Sequence, residues 1–230
     1  MSFTHSRVTE DMCYHLMAPF TMEELHDAVH MLAPSSCPGD DGLTRGFFVT
    51  HWELMHVWLL RGCQDIFTSG CMPPSMCSGL ISLIPKGADT TRLRQWRPIT
   101  LLSSVYKILA KLISSRLRPY LLDLIHTSQT GFVQDRYILD NLFCLHQAMD
   151  WARTSATPLA IVLFDFEKTY DRVDWGFLEG SLVRMGFPEA WIRGILALYG
   201  SASSSVTIGG HVGRTFQISR SMRQGCPLLD

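Results

Sequence analysis

Leu159-Ala160-Ile161-Val162-Leu163-Phe164 runs directly into Asp165-Phe166-Glu167-Lys168-Thr169-Tyr170-Asp171. An unbroken apolar run this short predicts a strand covered on both faces, with Asp165 where the strand ends. A carboxylate leaving a buried strand is costly unless it meets a cation or several N–H donors. Asp165 is therefore either a ligand for a divalent ion or a carboxylate resting on the positive end of a helix. Magnesium prefers one or two carboxylates together with water and phosphates, which suits a site open to a nucleotide.

Downstream of that strand the periodicity predicts helices over 175–185 and 189–199, parted by Gly186-Phe187-Pro188. Val206-Thr207-Ile208 and Thr215-Phe216-Gln217-Ile218 flank Gly209-Gly210 as a hairpin. Upstream, Thr21-Met22-Glu23-Glu24 is a capping box ahead of Leu25, Val29 and Leu32 at helical spacing. Ser35 to Gly42 is a turn-rich loop, and 47–66 is helical again. Leu80 to Ile84 predicts a strand ending at Pro85-Lys86. Ser103 or Ser104 caps a long helix reaching about Leu122, with Val105, Leu109, Leu112, Ile113 and Leu117 inward. A further amphipathic helix covers about 138–152. Strands separated by helices, without regular βαβ winding, give an α+β fold.

Composition sets the outer limits. Among 230 residues, 47% are hydrophobic and 18% charged, which excludes a disordered chain. No apolar run approaches the length needed to cross a membrane, and the N-terminal residues lack a signal-peptide pattern. Seven cysteines with no C-x-x-C pair predict reduced thiols and an intracellular protein, nuclear or cytoplasmic. His26 and His30 stand four apart, but no third metal ligand is near them in sequence. The net charge of −1 conceals blocks: residues 1–85 carry −6, 86–118 carry +7 and 119–230 carry −2. The basic block holds Lys86, Arg92, Arg94, Arg97, Lys107, Lys111, Arg116 and Arg118 against Asp89 alone. It is either a phosphate-facing surface or a solvated helix face.

Asp165 to Asp171, continuing into Arg172-Val173-Asp174-Trp175, resembles the first catalytic motif of reverse transcriptases of non-LTR (LINE-type) retrotransposons. The plant-type version has Ala where this chain has Thr169. Five further blocks follow the family order. Pro38-Gly39-Asp40-Asp41-Gly42 resembles its P-G-x-D-G segment. Leu83-Ile84-Pro85-Lys86 and Trp96-Arg97-Pro98-Ile99-Thr100-Leu101-Leu102 resemble its two fingers motifs. Gln129-Thr130-Gly131-Phe132 resembles Q-x-G-F, and Met222 to Leu228 resembles the second palm motif.

The resemblance implies right-hand polymerase fingers with an incomplete palm, a ferredoxin-like sheet lacking its catalytic hairpin. It implies a helical lead-in at 1–70, a fingers-like region at 71–158 and a partial palm at 159–230. Asp165 would ligate two Mg2+ ions with help from the Phe166 carbonyl. Lys86 and Arg97 would hold the incoming triphosphate, Arg97 through its bidentate fork and Lys86 as a point charge. Tyr170 would pack under the sugar and exclude a 2′-hydroxyl, although a ring there also suits core packing. Gln224 and Gly225 would line the nucleotide and template pocket. Lys107, Lys111, Arg116 and Arg118 would contact the template–primer backbone. The partners implied are an RNA template, a DNA primer and deoxynucleoside triphosphates, within a parent polyprotein carrying endonuclease and thumb regions.

The family's aromatic-x-Asp-Asp motif occurs nowhere in these residues, and Asp40-Asp41 lies in the upstream loop instead. Two reduced readings therefore stand beside the enzyme, a non-catalytic nucleic-acid-binding remnant and a functionless relic. Without the paired carboxylates, a polypeptide of these 230 residues is expected to incorporate no labelled dTTP on an RNA template with a DNA primer. Incorporation abolished by Asp165→Ala contradicts this.

Overall fold

In the computed structural model, residues 7–166 and 168–229 are described. The chain opens with α1 (Glu10–Met17), α2 (Met22–Met31), α3 (Arg45–Thr50), α4 (Trp52–Ser69) and α5 (Pro74–Cys77). The capping box forms as read: Glu24 N donates to Thr21 Oγ1 (3.2 Å), and Thr21 N donates to Glu24 Oε2 (2.8 Å). Strands β1 (Ser78–Pro85) and β2 (Trp96–Leu102) follow, then α6 (Ser104–Leu117), α7 (Leu121–Leu124) and α8 (Ile138–Thr154). Ser103 is the cap of α6, its hydroxyl accepting from Tyr106 N at 3.2 Å. The remainder is α9 (Trp175–Met185), α10 (Glu189–Leu196), β3 (Ser203–Ile208), β4 (His211–Val212) and β5 (Phe216–Gln217).

The sheet runs β2-β1-β3-β4, with β5 pairing the other end of β3. β1 is antiparallel to β2 and parallel to β3, and the β3–β4 turn falls at Gly209-Gly210 as expected. The run at 159–164 joins none of these strands, which corrects the reading of it as a buried strand. Its side chains are open, with Leu163 81% and Phe164 77% exposed. A strand gains its hydrogen bonds only from a neighbour, and no described strand lies beside this one. α8 also shows its apolar side chains, Leu139 and Phe143 among them, to solvent.

The core draws on all three sequence regions and centres on α6, where Tyr106, Ile108, Leu109, Leu112 and Ile113 are all buried. α2 packs on one side of α6 and the short turn Pro227–Leu229 on another. Lys107 and Lys111 are consequently buried as well, a second correction to the open basic face. The Pro38 to Gly42 loop reaches the start of α6. Asp41 Oδ2 accepts from Ser104 N (3.0 Å), and a Cβ on Gly39 would lie 2.7 Å from Ser103 N, so only glycine fits.

Arg116 is a further correction to the basic face. Its Nε and Nη2 bond both carboxylate oxygens of Glu24, at 2.6 and 2.7 Å. Its remaining donors reach the carbonyls of Leu16, Ala18 and Pro19, and the guanidinium lies 4.4 Å over the Phe20 ring. Nothing is left of it to reach a nucleic acid; it fastens α6 to the α1–α2 turn. Burial raises the Glu24 carboxyl, but the Arg116 guanidinium and the Thr21 N–H outweigh that and hold it below its ordinary value of 4.5. A lowered carboxyl stabilises the fold above pH 4.5, and the contribution disappears as pH falls through the folded-state value. Urea melts of Arg116→Met are expected to show a loss of about 3 kcal/mol at pH 7, because the partners are left unpaired. Acidification from pH 5 to pH 3 should cost the parent chain more stability than it costs Glu24→Gln. Equal acid sensitivity contradicts the role assigned to the pair.

Candidate functional site

The β1–β2 register sets Ile84 opposite Arg97 and Pro85 opposite Trp96. Lys86 N donates to Gln95 O at 2.7 Å, so Lys86 and Arg97 come to the same end of the hairpin. The loop between them is closed on itself, with Trp96 Nε1 donating to Thr90 O at 3.2 Å. Asp89, the acid of the basic block, accepts from the backbone N–H and hydroxyl of Thr91, and these bonds hold its carboxyl below the usual carboxylate range.

Two further segments close on this hairpin. Thr100 N donates to Gln224 O (2.9 Å), laying the Gln224-Gly225 turn on β2. Gly225 has φ +105°, and a Cβ there would stand 2.6 Å from Thr100 O, so the turn demands glycine. Residues 170–174 then line up against 220–222: Met222 N donates to Tyr170 O (2.8 Å), Ser221 N to Val173 O (2.9 Å), and Asp174 bridges Arg220. Trp175 Nε1 adds a bond to Ser221 O at 3.0 Å.

These contacts enclose a cavity of about 660 Å³. Lys86, Arg94, Arg97 and Lys168 supply its cations, Asp171 its carboxylate and Gln224 its amide, while Leu83, Leu93, Trp96 and Pro98 give apolar walls. Lys86, Arg97 and Lys168 make no side-chain hydrogen bond or ion pair among the described residues. Four cations against one carboxylate, beside an indole and other apolar surface, suit a polyphosphate joined to a partly apolar body. Three of the site residues read from the sequence, Lys86, Arg97 and Gln224, therefore meet, with Gly225 shaping the turn.

Others do not join them. Asp165 is exposed on the unpaired segment, has no bonded partner among the described residues and does not line this cavity. Phe166 lines a neighbouring hollow of about 510 Å³ with Thr169, Arg172 and Phe177. Its carbonyl accepts from Thr169 Oγ1 at 2.8 Å. Tyr170 turns its ring edge-on to Phe132, with centroids 6.5 Å apart. Arg118 is half-buried at the start of a 3-10 turn over Arg118–Tyr120. A two-ion magnesium site does not fit this donor set. Among the described residues Asp165 has no bonded partner, and no cluster of three His, Cys, Asp or Glu side chains is placed to hold a metal. Arg94, Lys168 and Asp171 are additions to the site. Lys168 and Asp171 were within reach of sequence reasoning, since both lie inside the motif that begins at Asp165.

Residues 84–228 match the family model described as "Reverse transcriptase (RNA-dependent DNA polymerase)". The chain belongs to the reverse transcriptase family. The matched residues contain every group that lines the large cavity except Leu83. Among the relatives it resembles, the "Transposon TX1 uncharacterized 149 kDa protein" of Xenopus laevis is 36% identical over 221 residues, covering 96% of this chain. The "Retrovirus-related Pol polyprotein from type-1 retrotransposable element R2" of Popillia japonica is 27% identical over 220 residues, covering 93% of it. The chain spans 17% of the first relative's length and 29% of the second's. Both names agree with the LINE-type, non-LTR character of the motifs.

Proposed function

We propose that this chain is the nucleotide-holding part of a larger reverse transcriptase, which extends a DNA primer on an RNA template. In this reading 71–158 act as fingers, 159–230 as part of a palm, and the 660 Å³ cavity receives the triphosphate of an incoming deoxynucleotide. The observation that carries it is the meeting of Lys86, Arg97 and Lys168 with Gln224 in that one cavity, none of the three cations making a side-chain hydrogen bond or ion pair among the described residues.

Arg97 brings a planar fork able to grip two phosphate oxygens, while Lys86 and Lys168 contribute point charges from the hairpin end and from the segment docked on Gln224. Charge spread over phosphate oxygens is held best by cations already in place. The Gln224 amide offers one donor and one acceptor at the wall, and Trp96 with Pro98 offers flat apolar surface. Asp171 weakens the positive field at one side, giving the polyphosphate a preferred orientation. No chemical step is assigned to Asp165, because among the described residues the donors that a metal-assisted transfer needs are not assembled around it.

Titration of the chain with dTTP at fixed ionic strength tests this. Arg97→Gln is expected to weaken binding roughly tenfold or more, the worth of a charge-assisted hydrogen bond. dTMP, lacking the β and γ phosphates, should bind far more weakly than dTTP. Equal affinity of dTTP and dTMP, or an unchanged dissociation constant in Arg97→Gln, contradicts it.

A further inference from the structure

Helix α2 carries three acids, two histidines and no lysine or arginine. Leu25, Ala28 and Val29 face the core, which leaves His26, Asp27 and His30 exposed. The two imidazoles stack, with centroids 4.0 Å apart and planes 27° from parallel. Of the chain's nine histidines, no other two stand three or four apart. Both rings are also held in place. His30 Nδ1 donates to His26 O at 2.8 Å. Trp52, half-buried at the start of α4, sets its ring edge-on to His26 with centroids 5.3 Å apart. Asp27 Oδ1 stands 3.6 Å from His26 Nδ1.

We propose that His26 and His30 form a two-nitrogen chelate for a divalent transition-metal ion of the nickel or zinc type. An imidazole ligates through its unprotonated nitrogen while the other N–H rests on an oxygen. His30 meets that condition: its bond to His26 O puts the proton on Nδ1, and Nε2 has no bonded partner among the described residues. The carboxylate beside His26 Nδ1 favours the same tautomer in that ring. Residues four apart are neighbours on a helix surface, so both rings reach one ion by side-chain rotation alone. Glu23 and Asp27 add negative charge to the same stretch of helix, whereas Glu24 is taken by Arg116.

Donor type decides which ion enters. Imidazole suits nickel, copper and zinc, whereas magnesium takes oxygen ligands and keeps its waters. Among the described residues no third His, Cys, Asp or Glu completes the set, so water fills the remaining positions on the ion. The site shares no residue with the nucleotide cavity and does not rest on the function proposed above. Its effect is on stability: the bound ion ties together two turns of α2, which packs against both α4 and α6.

Calorimetric titration of the intact chain with Ni2+ tests this; unlike Cu2+, that ion does not oxidise thiols, of which the chain has seven. Both histidines are exposed, so replacing either leaves the fold standing. Affinity is expected to fall by about tenfold or more in His26→Gln and equally in His30→Gln, because the second nitrogen acts as an intramolecular partner. The double variant should then bind no more weakly than either single one. Saturating Ni2+ should raise the melting temperature of the parent and leave both single variants unmoved, and excess Mg2+ should not displace it. No Ni2+ binding, parent-like affinity in either single variant, or losses that simply add in the double variant overturn the chelate. Displacement by Mg2+ overturns the nitrogen donors, and a melting temperature that Ni2+ raises equally in parent and variants places the ion elsewhere.

Discussion

The arrangement hangs on the buried guanidinium of Arg223, which no carboxylate among the described residues neutralises. It donates to Cys77 O (2.6 Å) at the entry to β1 and to Leu198 O (3.0 Å) just beyond α10, and lies 4.7 Å over the Tyr106 ring of α6. Carbonyls at helix ends carry partial negative charge, and an aromatic face adds a further attraction for a cation. Its Nε has no partner among the described residues, so the compensation is incomplete and the contact is held by its surroundings. Tyr106 and Tyr199 share this interior, and burial pushes both phenols well above their usual range. The two residues after Arg223 are Gln224 and Gly225. Pinning Arg223 to three elements at once fixes where that turn meets β2, and with it a wall of the large cavity.

Much of this was legible in the sequence. The capping box at Thr21, the strand ending at Pro85-Lys86, the serine cap of α6 and the turn at Gly209-Gly210 all rest on local chemistry, and all formed where read. Lys86, Arg97 and Gln224 were read from motifs far apart in sequence and stand around one cavity. What was hidden depends on neighbours. Periodicity gives α6 one apolar face, but α2 and the Pro227 turn cover it from two directions and draw Lys107 and Lys111 inward. Arg116 counts as a surface charge until five of its bonds are seen to end on Glu24 and three carbonyls. Arg223 carries no signal at all in a charge count, being one basic residue in a turn.

The apolar run at 159–164 shows the limit most sharply. Its composition is that of a buried strand, yet burial is conferred by a partner and no described strand is beside it. Asp165 inherits that openness. In consequence the described residues gather four cations around one cavity without gathering a cluster of three His, Cys, Asp or Glu side chains able to hold a metal.

The most direct measurement is photo-crosslinking with a dTTP analogue carrying its reactive group on the γ-phosphate, followed by peptide mapping. The account predicts label on the peptides bearing Lys86, Arg97 and Lys168, suppressed by unlabelled dTTP. Label confined to other peptides, or indifferent to competing dTTP, would contradict it.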